Sequence, residues 1–353
     1  MDKMGIGIIG CGTIANASHI PSYLKDDRSD ILYFCDTLPD RAREAVERYG
    51  CGAATADFRD VIGDSRVAAV SVCVPNDMHA PISIAALQAG KHVLCEKPAA
   101  RTYAEALTMQ AAQKESGKIL NIGVVNRFNE GVNRIRGIIE AGELGEVYHV
   151  YASFRAHRSI PGLGGRFTTK AASGGGALID WGVHFLDIVM YCCGDPKPVT
   201  ASGEAFCKLG RDMRGYAYVD MWAGPPDYDG AYDVEDSVAG LIRTEGPVIT
   251  LHGAWAQNIG VDEMYIDFMG TEGGVRLLYG AGFKQYTAKN GALLEISQSY
   301  APRDMFGAEI SSFLDSALSG EKSAANIDTA IITARLMQAI YDSSACHREI
   351  VLA

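Results

Sequence analysis

The stretch Gly5-Ile6-Gly7-Ile8-Ile9-Gly10-Cys11-Gly12-Thr13-Ile14-Ala15 decides the fold. A short apolar strand runs into a G-x-G-x-x-A turn, after which Ile20, Tyr23 and Leu24 carry an apolar pattern at helical spacing. Glycines in such a turn let the backbone bend tightly. They also let a pyrophosphate approach the helix N-terminus, where N–H groups and the dipole favour negative charge. Working outward, the second strand, Ile31-Cys35, ends at Asp36, 26 residues beyond Gly10. An acid there accepts the ribose hydroxyls of NAD and repels the 2′-phosphate of NADP. Thr37 and Leu38 offer no compensating cation, and Arg41 is the nearby group that could rescue NADP. NAD is therefore the expected cofactor, with NADP less favoured.

The alternation continues. Val67-Val74, His92-Cys95 and Lys118-Val124 read as strands, and Ala42, Ala45, Val46 and Tyr49, or Ile82, Ala85, Ala86 and Ala89, mark helices between them. Strands alternating with helices give a doubly wound parallel sheet, here residues 1–124. Residues 125–353 read as an α+β domain. In it Phe128-Ala141 is a connecting helix and Glu146-Ala156 a strand with an apolar and a polar face. A helix follows from Gly176 to Cys193, and two helical patterns close the chain at Met305-Leu318 and Thr329-Ala345. The run Gly270-Thr271-Glu272-Gly273-Gly274 reads as a turn.

At 353 residues, 48% hydrophobic and 21% charged, the chain has apolar material for two cores. A net charge of −11 argues against nucleic acid and anionic membrane as partners. No apolar run is long enough to span a membrane, and the opening Met1-Asp2-Lys3-Met4-Gly5 lacks a signal-peptide core, so a cytoplasmic location is expected. Nine cysteines without Cys-x-x-Cys spacing suit neither a disulfide framework nor a zinc ribbon. Cys11, Cys35, Cys73 and Cys95 read as packed thiols. Eight scattered histidines show no metal-ligand spacing, so no metal is expected.

Two further motifs carry chemistry. Cys95-Glu96-Lys97-Pro98 closes the run His92-Cys95 at the carboxyl edge of the sheet, where ligands bind. A lysine there can neutralise a developing alkoxide, or it can be an ordinary surface lysine. Gly174-Gly175-Gly176-Ala177-Leu178-Ile179-Asp180-Trp181-Gly182-Val183-His184 opens the long helix of the second domain. In an α-helix Asp180 and His184 share one face, and by themselves they read more readily as a satisfied core pair than as an acid and a base facing a cleft.

These motifs in this order, with Pro75-Asn76-Asp77-Met78-His79 after the run Val67-Val74 and Asn126-Arg127-Phe128 between the domains, resemble the Gfo/Idh/MocA oxidoreductase family along the whole chain. The resemblance implies a Rossmann domain followed by a domain built on a large open, mostly antiparallel sheet. It also implies oxidation of a secondary hydroxyl of a sugar, polyol or glycoside, or the reverse reduction. Lys97, Asp180 and His184 become the catalytic set: His184 as base, Lys97 stabilising the alkoxide, Asp180 orienting the substrate. The cofactor contacts implied are Gly10, Gly12, Thr13, Ile14, Asp36, Arg41, Pro75, Asn76, His79, Glu96, Lys97 and Asn126, of which His79 reads equally as a structural packing residue. Arg155, Arg166 and Trp181 join the catalytic set as substrate contacts, and Tyr216-Asp236 is a candidate pocket wall or loop. A cis bond before Pro98 and a homodimer or homotetramer are further expectations. Alternatives within the resemblance are an NAD-dependent glycoside hydrolase acting by transient oxidation and a catalytically silent sugar or dinucleotide sensor.

Overall fold

The computed structural model describes residues 3–352; Met1-Asp2 and Ala353, which bound the expected domains and the no-leader reading, lie outside the described residues. Two units divide the chain. One comprises the chain up to Phe128 with Arg303–Ile331, and the other comprises Asn129–Pro302 with the segment from Ile332 onward.

The first unit holds a parallel sheet of β1 (Met4–Ile9), β2 (Ser29–Cys35), β3 (Ala53–Thr55), β4 (Val67–Val72), β5 (His92–Glu96) and β6 (Leu120–Gly123), in the order β3-β2-β1-β4-β5-β6. Ile6, Ile8 and Ile9 of β1 and Val67, Val70 and Val72 of β4 are buried at the centre of the sheet, as a sheet covered on both faces requires. The strand order reverses between β1 and β4, so the crevice outside their carboxyl ends is a topological switch point. The short edge strand β3 was not anticipated, because Ala53-Ala54-Thr55 is too short to show a period.

The helix Met305–Ser319 corrects the expected division, in which everything after residue 125 belongs to the second domain. Its Ile310, Phe313 and Leu314 are buried in the core of the first unit with Ile20, Tyr23 and Phe34. Arg28 reinforces this by donating to Ser311 Oγ at 2.9 Å and pairing with Asp315 at 2.5 Å. An apolar helix face carries no label for the core that it fills.

The second unit is built on β7 (Val147–Arg155), β8 (Pro198–Phe206), β9 (Ser237–Thr244), β10 (Val248–Ala254), β11 (Glu263–Gly270), β12 (Gly273–Leu278), β13 (Gly282–Lys289), β14 (Ala292–Ser297) and β15 (Ile350–Val351). Their order is β14-β13-β12-β11-β7-β10-β9-β8-β15, and β7 with β10 is the parallel pair in an otherwise antiparallel sheet. Residues 270–274 join β11 to β12, in keeping with the expected turn. Val150, Ala152 and Phe154 of β7 are fully buried under the helix Val183–Cys192, with the Phe154 and Phe185 rings 5.0 Å apart. The expected helix from Gly176 to Cys193 is continuous in space but not uniform: a π-helical turn, Leu178–Gly182, precedes the α-helix. Gly182 sits where a Cβ would lie 3.0 Å from the Phe154 ring, so the turn lies directly on the sheet.

Candidate active site

In the first unit, every sequence motif that follows a strand arrives at the carboxyl edge of the sheet: Gly10 after β1, Asp36 after β2, Pro75 and Asn76 after β4, Lys97 after β5 and Asn126 after β6. Gly10 has φ +96°, and a Cβ there would lie 2.3 Å from the Cys73 carbonyl oxygen, so packing demands glycine. At Gly12 nothing lies within 4 Å of the position a Cβ would take. That glycine leaves space for something other than the protein's own packing. A helix runs from residue 13 to 25, with Thr13 exposed and Ile14 half-buried at its first turn. Asn16 clamps the loop, donating to the carbonyls of Cys11 at 2.8 Å and Gly12 at 2.9 Å.

Asp36 accepts the N–H groups of Cys11 and Leu38, each at 2.9 Å, one at each oxygen. A carboxylate oxygen accepts more than one bond, so both retain capacity for hydroxyls. Arg41 is exposed on the following helix. These features fit a dinucleotide: an open glycine at a helix N-terminus for the pyrophosphate and a fixed acid for the ribose. The four cysteines of the strand-like runs are free and buried, and burial, reinforced by the Asp36 charge, pushes the Cys11 and Cys35 thiols up to about 12. They pack rather than react.

The Lys97-Pro98 bond is cis, as the resemblance implied, and Lys97 is half-buried. Glu96, expected as a cofactor contact, is engaged within the protein. Its carboxylate is buried, with Oε1 bonded to His19 Nε2 at 2.8 Å and Oε2 accepting the Lys97 N–H at 3.1 Å. His19 continues through Nδ1 to Ser71 Oγ at 3.0 Å, which also meets Tyr23 OH at 3.0 Å. Burial opposes the Glu96 charge, but the His19 bond and charge together with the Lys97 charge and N–H outweigh it and hold the carboxyl below its ordinary range. Glu96 thus acts through Lys97, and no local pattern marks His19 as its partner.

His79, also expected at the cofactor, is 1% exposed. Its Nδ1 meets the Pro98 carbonyl at 2.7 Å and its Nε2 the Val74 carbonyl at 2.8 Å, so it links the loops after β4 and β5. Two acceptors suit an imidazolium, which donates from both nitrogens. Burial works against that charge, yet the neighbouring Cys95 sulfur and the two carbonyls bring the pKa up to about 9. A raised folded-state pKa contributes stability that is fully present below the ordinary imidazole value of about 6.5 and lost as pH rises through the folded value. Thermal unfolding should therefore show stability falling between about pH 6.5 and pH 9, and His79→Gln should flatten that fall. An unchanged slope in the variant would contradict the charged bridge. Asn76 is half-buried in the turn Asn76–Met78, Pro75 is exposed, and Asn126 is buried beside Arg127, which donates to Ala324 O and Thr329 Oγ1 at 2.6 Å each.

In the second unit, Asp180, Trp181 and His184 are half-buried while Ala177-Leu178-Ile179, Gly182-Val183 and Phe185 onward are buried. This helix therefore offers one accessible edge, and the acid and the imidazole are on it. Trp255 Nε1 donates to Asp180 Oδ2 at 3.2 Å, and the His184 ring lies 6.3 Å from that of Tyr279. Trp181 packs against both the main core and a smaller cluster containing Ile160, Leu163, Tyr216 and Met221. The segment 207–236 is tied down by Asp236, whose Oδ2 accepts the N–H groups of Lys208, Leu209 and Gly210 at 2.8, 2.6 and 3.0 Å. It is also bonded along residues 161–168, through Ala223 N to Pro161 O, Asp227 N to Leu163 O and Asp233 N to Thr168 O. Arg166 is exposed at the start of the turn Arg166–Thr168 in that same segment.

Arg155 is a correction. Successive side chains of a strand point to opposite faces, and Arg155 follows Phe154, which faces the helix bearing His184. Arg155 is paired with Glu263 of β11, which also accepts from Ser153 Oγ at 2.9 Å. It belongs to the opposite face of the sheet.

Comparison with known proteins agrees with this fold. Residues 4–124 match the model of an oxidoreductase family with an NAD-binding Rossmann fold, and residues 132–276 match that of the GFO/IDH/MocA C-terminal domain. The chain is 30% identical over 342 residues to D-glucoside 3-dehydrogenase of Escherichia coli (strain K12), covering 96% of this chain and 95% of that protein. It is 29% identical to levoglucosan dehydrogenase of Pseudarthrobacter phenanthrenivorans, covering 79% and 74%. A solved structure of levoglucosan dehydrogenase with NADH and levoglucosan superposes with a TM-score of 0.85 at 21% identity, covering 99% of this chain and 100% of that one.

Proposed function

Since the chain belongs to the Gfo/Idh/MocA oxidoreductase family, we propose that it is an NAD-dependent dehydrogenase of a carbohydrate-like secondary alcohol, with Lys97, Asp180 and His184 as its catalytic residues. The observation that carries this reading is the selective exposure of Asp180, Trp181 and His184 on an otherwise buried helix, in a chain whose first unit presents a dinucleotide-shaped edge ending in Lys97. A relative named for oxidising D-glucosides at position 3, similar along 96% of this chain, makes a D-glucoside the first substrate to try.

The residues that would hold NAD are the Gly10–Ala15 backbone at the pyrophosphate, Asp36 at the adenosine ribose, and Asn76 and Lys97 toward the nicotinamide end. When bound, NAD supplies the hydride acceptor. His184 accepts the proton of the reacting hydroxyl, for which an imidazole suits near-neutral pH. The Lys97 ammonium stabilises the alkoxide oxygen as the proton leaves. Asp180, oriented by Trp255, accepts from the reacting or an adjacent hydroxyl and selects the sugar's rotation in the site. Segment 207–236 walls the substrate side beside Trp181.

The test is NADH formation from NAD+ with methyl β-D-glucopyranoside, levoglucosan and myo-inositol. Steady NADH accumulation on at least one supports the reading; glucoside cleavage without NADH accumulation supports transient oxidation instead. Absence of both NADH binding and turnover sinks it. Cofactor choice is tested separately. Asp36→Ala is expected to raise the ratio of kcat/KM for NADP+ over NAD+ at least about tenfold, because a hydrogen bond to a charged group contributes about 1.5–3 kcal/mol. An unchanged ratio would remove Asp36 from cofactor selection.

A further inference from the structure

The turn that carries Asp180 begins without a cap of its own. Helix starts leave N–H groups that a Ser, Thr, Asp or Asn side chain usually satisfies, but here the preceding residues are Gly174-Gly175-Gly176. The missing acceptor comes from far along the chain. Glu235, 6% exposed, accepts the Gly176 N–H through Oε2 and the Leu178 N–H through Oε1, both at 2.9 Å. Its backbone carbonyl accepts the Ala177 N–H at 3.2 Å, and Tyr341 OH donates to Oε1 at 2.9 Å. The glycines make this approach possible. A Cβ on Gly175 would lie 2.1 Å from the Tyr341 hydroxyl, and one on Gly176 would lie 1.9 Å from the Glu235 carbonyl oxygen and 3.1 Å from Trp255. Trp255 is itself fully buried and donates to Asp180.

We propose that Glu235 is a positioning residue of the active site: with Tyr341 it caps from a distance the π-helical turn Leu178–Gly182, fixing Asp180 and, four residues on, His184, while Trp255 orients the Asp180 carboxylate. The arrangement needs two oxygen acceptors on one side chain, because the N–H groups of Gly176 and Leu178 converge on Glu235 from residues two apart. A carboxylate meets that demand, whereas an amide turns one acceptor into a donor facing an N–H. A buried cap is also firm in a way that a solvated one is not, since water cannot substitute for a lost partner. π-Helical turns recur at functional sites, and here the wide turn sits at the one accessible edge of the helix.

The proposal rests on the reading of Asp180 and His184 as the substrate-facing pair, and its test separates the two. In the NADH complex, Glu235→Gln should speed amide exchange at Gly176 and Leu178 at least about tenfold, with NADH affinity within about twofold of wild type. On the best of the three sugar probes, kcat should fall about 10- to 100-fold with little change in KM. Trp255→Phe should lower kcat while leaving exchange at Gly176 and Leu178 unchanged. Wild-type exchange in Glu235→Gln, equal loss of protection throughout the second unit, or an unchanged kcat would each overturn the proposal. If that variant does not fold, Tyr341→Phe, which removes one hydroxyl, carries the same comparisons. His184→Ala run beside them identifies the other failure: full turnover there would overturn the catalytic reading, whereas full turnover in Glu235→Gln alone overturns only the cap. Exchange is read whether or not any probe is turned over.

Discussion

His184→Ala is expected to lower kcat by about 10²- to 10⁴-fold, the span that general acid–base groups contribute, with NADH affinity unchanged. The imidazole is half-buried on a helix whose neighbouring positions are packed against β7, so removing it opens a small gap at an accessible edge and leaves the core intact. A loss of turnover there is a loss of chemistry. Lys97→Met is expected to cost about 10²- to 10³-fold in kcat, because it removes a cation near a developing oxyanion while keeping the aliphatic stem. The double variant should be much slower than either but not as slow as their product, since in the proposed mechanism base and cation act on one oxygen. Stopped-flow measurement of NADH formation at fixed pH reads all three. Turnover within twofold of wild type in either single variant would remove that residue from the mechanism.

The second large effect is a contrast between two identical substitutions two residues apart. Gly10→Ala is expected to destabilise the first unit by about 2–5 kcal/mol, summing the cost of a positive φ for a residue with a Cβ and of overpacking against a backbone carbonyl. That carbonyl, on Cys73, would lie 2.3 Å from the new methyl group and belongs to the chain leaving β4. It cannot rotate aside as a side chain would. Gly12→Ala places its methyl group in open space, so unfolding temperature should move by no more than a degree or two. NADH affinity should nevertheless fall about 10- to 100-fold, because the methyl group stands off a pyrophosphate from N–H donors worth about 1.5–3 kcal/mol each when the acceptor is charged. Calorimetric unfolding and fluorescence titration separate the two. A stable Gly10→Ala protein, or a Gly12→Ala protein that binds NADH normally, would show that the loop has been misread.

Much of the candidate site was legible because it is written locally. Strand, glycine turn and helix follow one another within 25 residues, and Asp36 ends the next strand, so periodicity and turn chemistry place them without knowledge of distant partners. Asp180 and His184 were visible as a pair for the same reason. Arg155 was misplaced because a charged residue near a strand end carries no label for its face until its neighbours are known, and Phe154 settles which way it points. Glu96 was placed at the cofactor by its motif, and His79 read there or as a packing residue alike. Their burial and their bonds to His19, Val74 and Pro98 give them the task of holding the loops that carry Lys97 and Asn76.

What the sequence by itself determined is the class of the chain and where its motifs fall: Gly10, Gly12, Asp36 and Lys97 after strands of the first unit, and Asp180 and His184 on one helix of the second. These follow from short-range order, where hydrogen bonding and side-chain period act over a few residues. What only the tertiary structure decided is what holds them. Glu235 reaches Gly176 across 59 residues, His19 reaches Glu96 across 77, and the helix Met305–Ser319 returns to the first core. A buried polar group takes whichever partner folding brings within about 3 Å, and the partner's position along the chain leaves no periodic trace.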